Sequence, residues 1–143
     1  MELTAEQTYT LRRSELRAGT PTDEVRFDED SLASTVHLGV EVDGEVVAVS
    51  TWIERRHPDT PRFRGVQLRG MATAPQFRGH GHGAMLLEAG VERAAAAGIE
   101  LIWARARDSA LGFYERHGFR PFGRGYVDLT TELPHHDIVR MLR

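Results

Sequence analysis

A glycine-rich loop at residues 78–83 constrains this chain more than any other feature. It reads Arg-Gly-His-Gly-His-Gly and leads directly into Ala84-Met85-Leu86-Leu87-Glu88, a helix-forming stretch. Glycine lets backbone N–H groups approach a ligand without side chains between them. The same N–H groups are unpaired donors at the start of a helix, where the helix dipole favours negative charge. The loop therefore predicts a site for a phosphate or a diphosphate.

Composition excludes several kinds of chemistry. The 143 residues contain no cysteine, so disulfides and a covalent acyl-cysteine intermediate are excluded. All 18 basic residues are arginine, which removes lysine Schiff bases and the lysine of a P-loop. A net charge of -3 argues against a nucleic-acid partner. No apolar stretch is long enough for a signal peptide or a membrane span, so we expect a cytoplasmic protein.

The hydrophobic pattern predicts one mixed α/β domain over residues 1–143. A hairpin over 37–50 turns at Asp43-Gly44, a dipeptide typical of type I′ turns. A strand over 66–73 contains Gly70, which suggests a bulge. The other expected elements are helices over 4–17, from the glycine loop to Gly98, and from Asp108 or Ser109 to His117, and strands over 99–104, 126–129 and 137–142.

Two motifs together resemble the GNAT superfamily of acyl-CoA N-acyltransferases. The loop matches the family's Gln/Arg-x-x-Gly-x-Gly/Ala through Arg78, Gly81 and Gly83. The stretch from Ala110 to Phe119 contains Phe113-Tyr114-x-x-x-Gly118-Phe119, which is similar to the family's second signature. One helix and one strand separate the two motifs, as they do in that family. The resemblance implies a mostly antiparallel sheet, splayed at the acyl-CoA site, with helices on both faces.

The resemblance also implies a cofactor site and a reaction. Acetyl-CoA is the expected co-substrate, and we expect no metal. The residues expected to hold it are Met71, Ala72, Thr73, Arg78, Gly79, His80, Gly81, His82, Gly83, Ala110 and Phe113. An N–H at Met71 or Ala72 is the candidate for stabilising the oxyanion. Tyr114 occupies the family position of the general acid, and a phenol with a pKa of about 10 suits protonation of a thiolate.

The acceptor side is less defined by the sequence. A small-molecule or peptide amine is expected, and a homodimer stays open. Six side chains are chemically suitable general bases: His37, Glu41, Glu54, His57, His135 and His136. The resemblance also leaves open that water alone takes the proton. Arg107 stands where many family members have an asparagine that contacts pantetheine, so it either meets a phosphate or lies in solvent. A further set of arginines forms a solvated face or meets an acidic substrate: Arg12, Arg13, Arg55, Arg56, Arg62 and Arg64.

Other interpretations of the motifs fit the sequence less well. The loop spacing does not fit the dinucleotide fingerprint of a Rossmann fold, and the acidic partner is missing. A metal site built from His80, His82, His135 and His136 lacks carboxylate or cysteine support. The second functional hypothesis is a CoA-binding sensor or interaction module that transfers nothing.

Overall fold

The computed structural model describes residues 1–142 and shows a seven-stranded sheet in the order β1-β2-β3-β4-β5-β7-β6. Strands β4 and β5 pair in parallel, and the other neighbours pair antiparallel. The strands are β1 (Glu2–Leu3), β2 (Val36–Val42), β3 (Glu45–Glu54), β4 (Gly65–Thr73), β5 (Leu101–Arg107), β6 (Arg120–Val127) and β7 (Pro134–Met141). The mostly antiparallel α/β sheet expected from the sequence is therefore confirmed.

The β2–β3 hairpin confirms the predicted turn. Asp43 and Gly44 have φ angles of 51° and 80°. Positive φ at both central residues is the requirement of a type I′ turn, whose twist matches that of the flanking strands. The pairing starts at Val42↔Glu45 beside the turn and shifts by one residue between Glu41 and Val40. Beyond this shift, Val47 and Val49 of β3 lie in the interior.

A bulge at Gly70 separates β4 from its neighbour β5. The pairing of β3 with β4 moves from Val49↔Ala72 to Thr51↔Arg69, so β4 contains one extra residue. Gly70 accommodates it with a φ of 62°. Pairing between β4 and β5 extends only from Gly65↔Leu101 to Leu68↔Ala104. Beyond those pairs the two strands diverge, as the resemblance implies.

Helices cover both faces of the sheet. The three α-helices are α1 (Tyr9–Leu11), α2 (His82–Ala96) and α3 (Leu111–Arg116). Short 3-10 turns lie at Glu6–Thr8, Asp28–Ser31, Pro75–Phe77 and Asp108–Ala110, and a wide π-helical turn spans Arg12–Arg17. Within residues 1–142, no helix has the length and apolar character needed to cross a membrane.

The core consists of one cluster on each face. Side chains of α2 and α3 pack with Trp52, Leu68 and Ile102 on the first face. On the second face, Leu3 and Leu11 pack against β3 and β4 through a smaller cluster that contains Val49, Ala72 and Ala74. The sheet is therefore buried on both sides around the point where β4 and β5 diverge.

Several predicted boundaries were wrong. The expected single helix over 4–17 forms as 3-10, α and π turns in succession. Strand β5 continues three residues beyond Ala104, and β6 begins at Arg120 instead of 126. Pro121, Gly123 and Gly125 concealed β6, because an edge strand tolerates proline and glycine that a central strand does not.

Gly118 and Phe119 form the end of α3. Gly118 closes the helix, and Phe119 N–H donates to Tyr114 O at 3.1 Å, as in a Schellman motif. The Phe119 ring lies against Tyr114, with 5.5 Å between ring centroids. Packing against Phe119 restrains the Tyr114 ring.

Candidate active site

A cleft of about 210 Å³ opens where β4 and β5 diverge. Its two strand walls are residues 67–71 of β4 and 104–107 of β5. Ala110 and Tyr114 line it from the α3 side, and the other lining residues are Leu16, Arg17, Phe27, Asp128, Thr130, Thr131 and His135. The cleft therefore lies where the pairing of β4 with β5 ends.

Tyr114 is held rigidly at the cleft. Its ring packs between Phe113 and Phe119, with centroids at 5.3 and 5.5 Å, and the residue is 9% exposed. Its hydroxyl forms no hydrogen bond with any group in residues 1–142. Burial raises the pKa of Tyr114 to about 12. The phenol is therefore protonated at neutral pH and has a proton to donate.

The glycine loop presents unpaired donors at the start of α2. Gly79 and Gly81 have φ angles of 79° and 82°, and Gly81 is the N-cap without any side-chain cap. In the part of the chain that the structure describes, the backbone N–H groups of residues 79–84 have no acceptor. A Cβ at Gly79 or Gly81 would meet no atom within 4 Å. Open space in front of unpaired donors suits an anion.

Other residues expected near the cofactor surround this loop. The position of a Cβ on Gly83 lies 3.6 Å from both Phe113 and Thr73 Oγ1, and 3.8 Å from Met71. The first turn of α2 therefore sits between β4 and α3. Met71 and Ala110 line the cleft, whereas Ala72 is buried in the second-face cluster.

Arg78 connects the loop to the N-terminal segment. Its Nη2 donates to Glu15 Oε1 at 2.5 Å, its Nε donates to Thr73 O, and the side chain is 58% exposed. His80 is exposed, and His82 lies edge-on to Phe77 at the start of α2. The two imidazole rings lie 6.4 Å apart.

Five of the six general-base candidates lie outside the cleft. His37 is buried between Thr51 Oγ1 and Asp30 O. His57 is buried and bonds Asp137 Oδ2 at 2.8 Å. His136 pairs with Asp108, and Glu54 pairs with Arg64, both away from the cleft. Glu41 is exposed on β2. His135 is the candidate that the structure brings to the cleft.

The hydrogen bonding of His135 assigns its protons. Its Nδ1 lies 2.8 Å from Leu133 O. A carbonyl only accepts, so Nδ1 carries the hydrogen, and in the neutral ring Nε2 keeps a lone pair. Nε2 has no hydrogen-bond partner among residues 1–142. The ring stacks on Tyr126, with centroids 6.0 Å apart.

Four arginines line the cleft: Arg17, Arg69, Arg105 and Arg107. Arg17, Arg69 and Arg105 were not predicted as site residues. Arg107 does not lie free in solvent: it is half-buried and donates to Leu16 O, and burial lowers its pKa. The signal in the sequence was the alternation Trp103-x-Arg105-x-Arg107, which continues β5 with one face polar.

One arginine expected on a solvated face is fully buried. Arg12 donates to Val25 O, Asp30 and Thr51 Oγ1 at 2.7–2.8 Å. Its guanidinium lies 3.8 Å from the centre of the Phe27 ring, and Arg69 lies 3.9 Å from the same ring. Phe27 thus separates two cations and positions Arg69 at the cleft.

Comparison with known proteins places this geometry among acyltransferases. A model described as the acetyltransferase (GNAT) family matches residues 5–119, which include both the glycine loop and Tyr114. An uncharacterised N-acetyltransferase of Bacillus subtilis, YitI, is 27% identical over 124 residues, or 87% of this chain and 83% of that protein.

Solved structures share the fold at low sequence identity. ElaA of Escherichia coli has a TM-score of 0.78 at 17% identity, with 98% of this chain and 97% of that chain covered. An aminoglycoside 6′-N-acetyltransferase, solved in complex with coenzyme A, has a TM-score of 0.75 at 13% identity, covering 97% of this chain and 91% of that chain.

Proposed function

Because this chain belongs to the acetyltransferase (GNAT) family, we propose that it transfers acetyl from acetyl-CoA directly to a primary amine, with Tyr114 as the general acid. Membership makes it an acyl-CoA-dependent N-acetyltransferase. The observation that carries the proposal is the unpaired hydroxyl of Tyr114 in the cleft between two diverging strands. Acetyl-CoA supplies the activated thioester.

The glycine loop is the proposed site of the CoA diphosphate. Six consecutive backbone N–H groups, at residues 79–84, have no acceptor within residues 1–142, and a Cβ at Gly79 or Gly81 would meet no atom within 4 Å. Arg78 adds positive charge beside them, although it already shares that charge with Glu15. Met71, Ala72 and Thr73 would hold the pantetheine arm along the unpaired part of β4, with Ala110 and Phe113 opposite. The unpaired N–H groups of the loop suit the anionic diphosphate, and the unpaired part of β4 suits the extended pantetheine arm.

Stabilisation of the oxyanion falls to the backbone of β4. The bulge at Gly70 interrupts pairing directly before Met71 and Ala72. An N–H of either residue is the proposed donor to the oxygen on which negative charge develops. Such a donor contributes most where water is excluded and no reorganisation is needed.

Proton transfer is assigned to two side chains on opposite sides of the cleft. Tyr114 donates its hydroxyl proton to the departing sulfur, and its pKa of about 12 keeps that proton in place until charge develops. Nε2 of His135 accepts a proton from the amine, directly or through one water, because Leu133 O holds the hydrogen on Nδ1. The absence of cysteine leaves direct transfer in a ternary complex.

The test of this function is release of CoA thiol from acetyl-CoA against a panel of primary amines. Tyr114→Phe removes one oxygen that has no partner in residues 1–142, so we expect stability to change little. We expect kcat to fall by about 10²-fold or more, with CoA affinity unchanged. Tyr9→Phe is the matched control, because Tyr9 lies outside the cleft. Full activity of Tyr114→Phe would refute the assignment.

A binding measurement tests the glycine loop separately. We expect Gly81→Trp to abolish most CoA affinity in calorimetry, because the indole fills the space in front of the N–H groups. Gly123→Trp is the matched control: its φ is 78° and a Cβ there also meets nothing within 4 Å. Equal affinity in both variants would refute the loop assignment. Tight CoA binding by the wild type, without turnover of any amine, would instead identify the CoA-binding module.

A further inference from the structure

A cluster of four arginines lines the cleft on one face of the sheet. Arg17, Arg69, Arg105 and Arg107 all border it, and Asp128 is the carboxylate among the described lining residues. Arg105 and Arg107 alternate along β5 with Ala104 and Ala106, whose side chains belong to the core cluster under α2 and α3. The arginines therefore face the opposite side of the sheet from α2 and its glycine loop.

Protein carboxylates neutralise little of this charge. Arg69 pairs with Glu29 at 3.2 Å, and that carboxylate is shared with Arg55. Within residues 1–142, Arg17, Arg105 and Arg107 have no carboxylate oxygen within 4 Å. Asp128 already accepts hydrogen bonds from the N–H groups of Thr130 and Thr131 through Oδ1. The arginine cluster thus retains a net positive charge.

The arginines also repel one another. Burial lowers the pKa of Arg17 and the charge of Arg107 lowers it further, while the charge of Asp128 opposes both. Burial also lowers the pKa of Arg69; the charge of Glu29 opposes this, and the charges of Arg55 and Arg105 add to it. Like charges gathered in a partly desolvated cluster cost free energy in the absence of an anion. A bound anion removes that cost and gains charge-assisted hydrogen bonds.

We propose that the acceptor is an amine that also carries a carboxylate, as an amino acid or an acidic peptide does. The arginine cluster binds the carboxylate, and His135, the proposed acceptor of the amine proton, lines the same cleft. This inference rests on the proposed acetyl transfer and names its substrate class. Arg105 is the principal contact, because it is exposed and lies over Trp103, with 5.5 Å to the ring centroid.

The experiment compares matched acceptor pairs: glycine with glycinamide, β-alanine with β-alaninamide, and L-glutamate with L-glutamine. Rates are referred to the neutral fraction of each amine, because an amide group lowers the pKa of its neighbouring amine. We expect kcat/KM to be at least about 10-fold higher for the more acidic member of a pair. Arg105→Gln is expected to remove most of that preference, and Arg62→Gln, on an exposed loop, is the matched control.

Each outcome bears on a different claim. Equal kcat/KM for acids and amides overturns the acidic-acceptor inference and leaves acetyl transfer standing. Loss of CoA affinity in Arg105→Gln also overturns it, because the cluster would then hold a phosphate of the cofactor. Turnover of no amine at all, with CoA bound, overturns the proposed function and this inference together.

Discussion

Substitution of Gly90 by alanine tests how closely α2 is seated on the sheet. A Cβ built at Gly90 lies 1.9, 2.2 and 2.4 Å from three carbons of the Trp52 indole, where ordinary contact begins at 3.4 Å. Trp52 cannot move aside easily, because it is 5% exposed and its Nε1 donates to Ser50 Oγ at 2.8 Å. The helix must therefore lift or the indole must tilt.

The expected change in the free energy of unfolding follows from two opposing effects. Alanine is favoured over glycine in a helix by about 1 kcal/mol. Overpacking of a rigid core costs about 1–3 kcal/mol, and an overlap this large belongs at the upper end. We expect Gly90→Ala to lower the free energy of unfolding by about 2 kcal/mol. Helix propensity alone predicts the opposite sign.

Urea denaturation followed by far-UV circular dichroism measures this effect. Trp52→Phe removes the overlapping part of the indole, so Gly90→Ala is expected to stop being destabilising in that background, a coupling of about 2 kcal/mol or more. Ala89→Gly, on the exposed side of the same helix, provides the propensity scale and should cost about 1 kcal/mol. A Gly90→Ala protein at least as stable as the wild type would refute the packing argument.

Three further predictions concern the buried ion pair and the proposed base. Asp30→Asn leaves the buried Arg12 guanidinium without its anion, so the free energy of unfolding measured in urea should fall by about 3 kcal/mol. Burial raises the pKa of Asp30, but hydrogen bonds from Arg12 and the Phe27 N–H outweigh burial and hold it below its ordinary 3.8. The stability that Asp30 contributes is therefore present above pH 4 and lost as pH falls further, and acid titration of Asp30→Asn should lack this component. His135→Gln should lower kcat by about 10²-fold without changing CoA affinity, and an unchanged pH–rate profile would exclude it as the base.

The sequence predicted those parts of the fold and of the candidate site that local chemistry encodes. The type I′ turn at Asp43-Gly44, the bulge at Gly70 and the end of α3 at Gly118 each depend on residues a few positions apart. The glycine loop is likewise a local pattern, in which unpaired N–H groups follow from the start of a helix.

What the sequence did not predict depends on long-range register. The buried Arg12 meets Asp30 and Thr51, which lie 18 and 39 residues away in the chain. The arginine cluster comes together from the N-terminal segment, β4 and β5, and apart from Arg107 its members look like ordinary surface charges in the sequence. His135 was one candidate among six until the pairing of β7 with β5 placed it opposite Arg107.

Four residue pairs join β4 to β5, fewer than join any other neighbouring strands of the described sheet except β1 and β2. Strands β1–β4 and strands β5–β7 form two halves, each of which supplies one wall of the cleft. A ligand bound between the two halves would contact both of them and hold them together, where few backbone hydrogen bonds do so. Binding should therefore slow amide hydrogen exchange on both sides of the seam together, and raise the melting temperature by linking the halves.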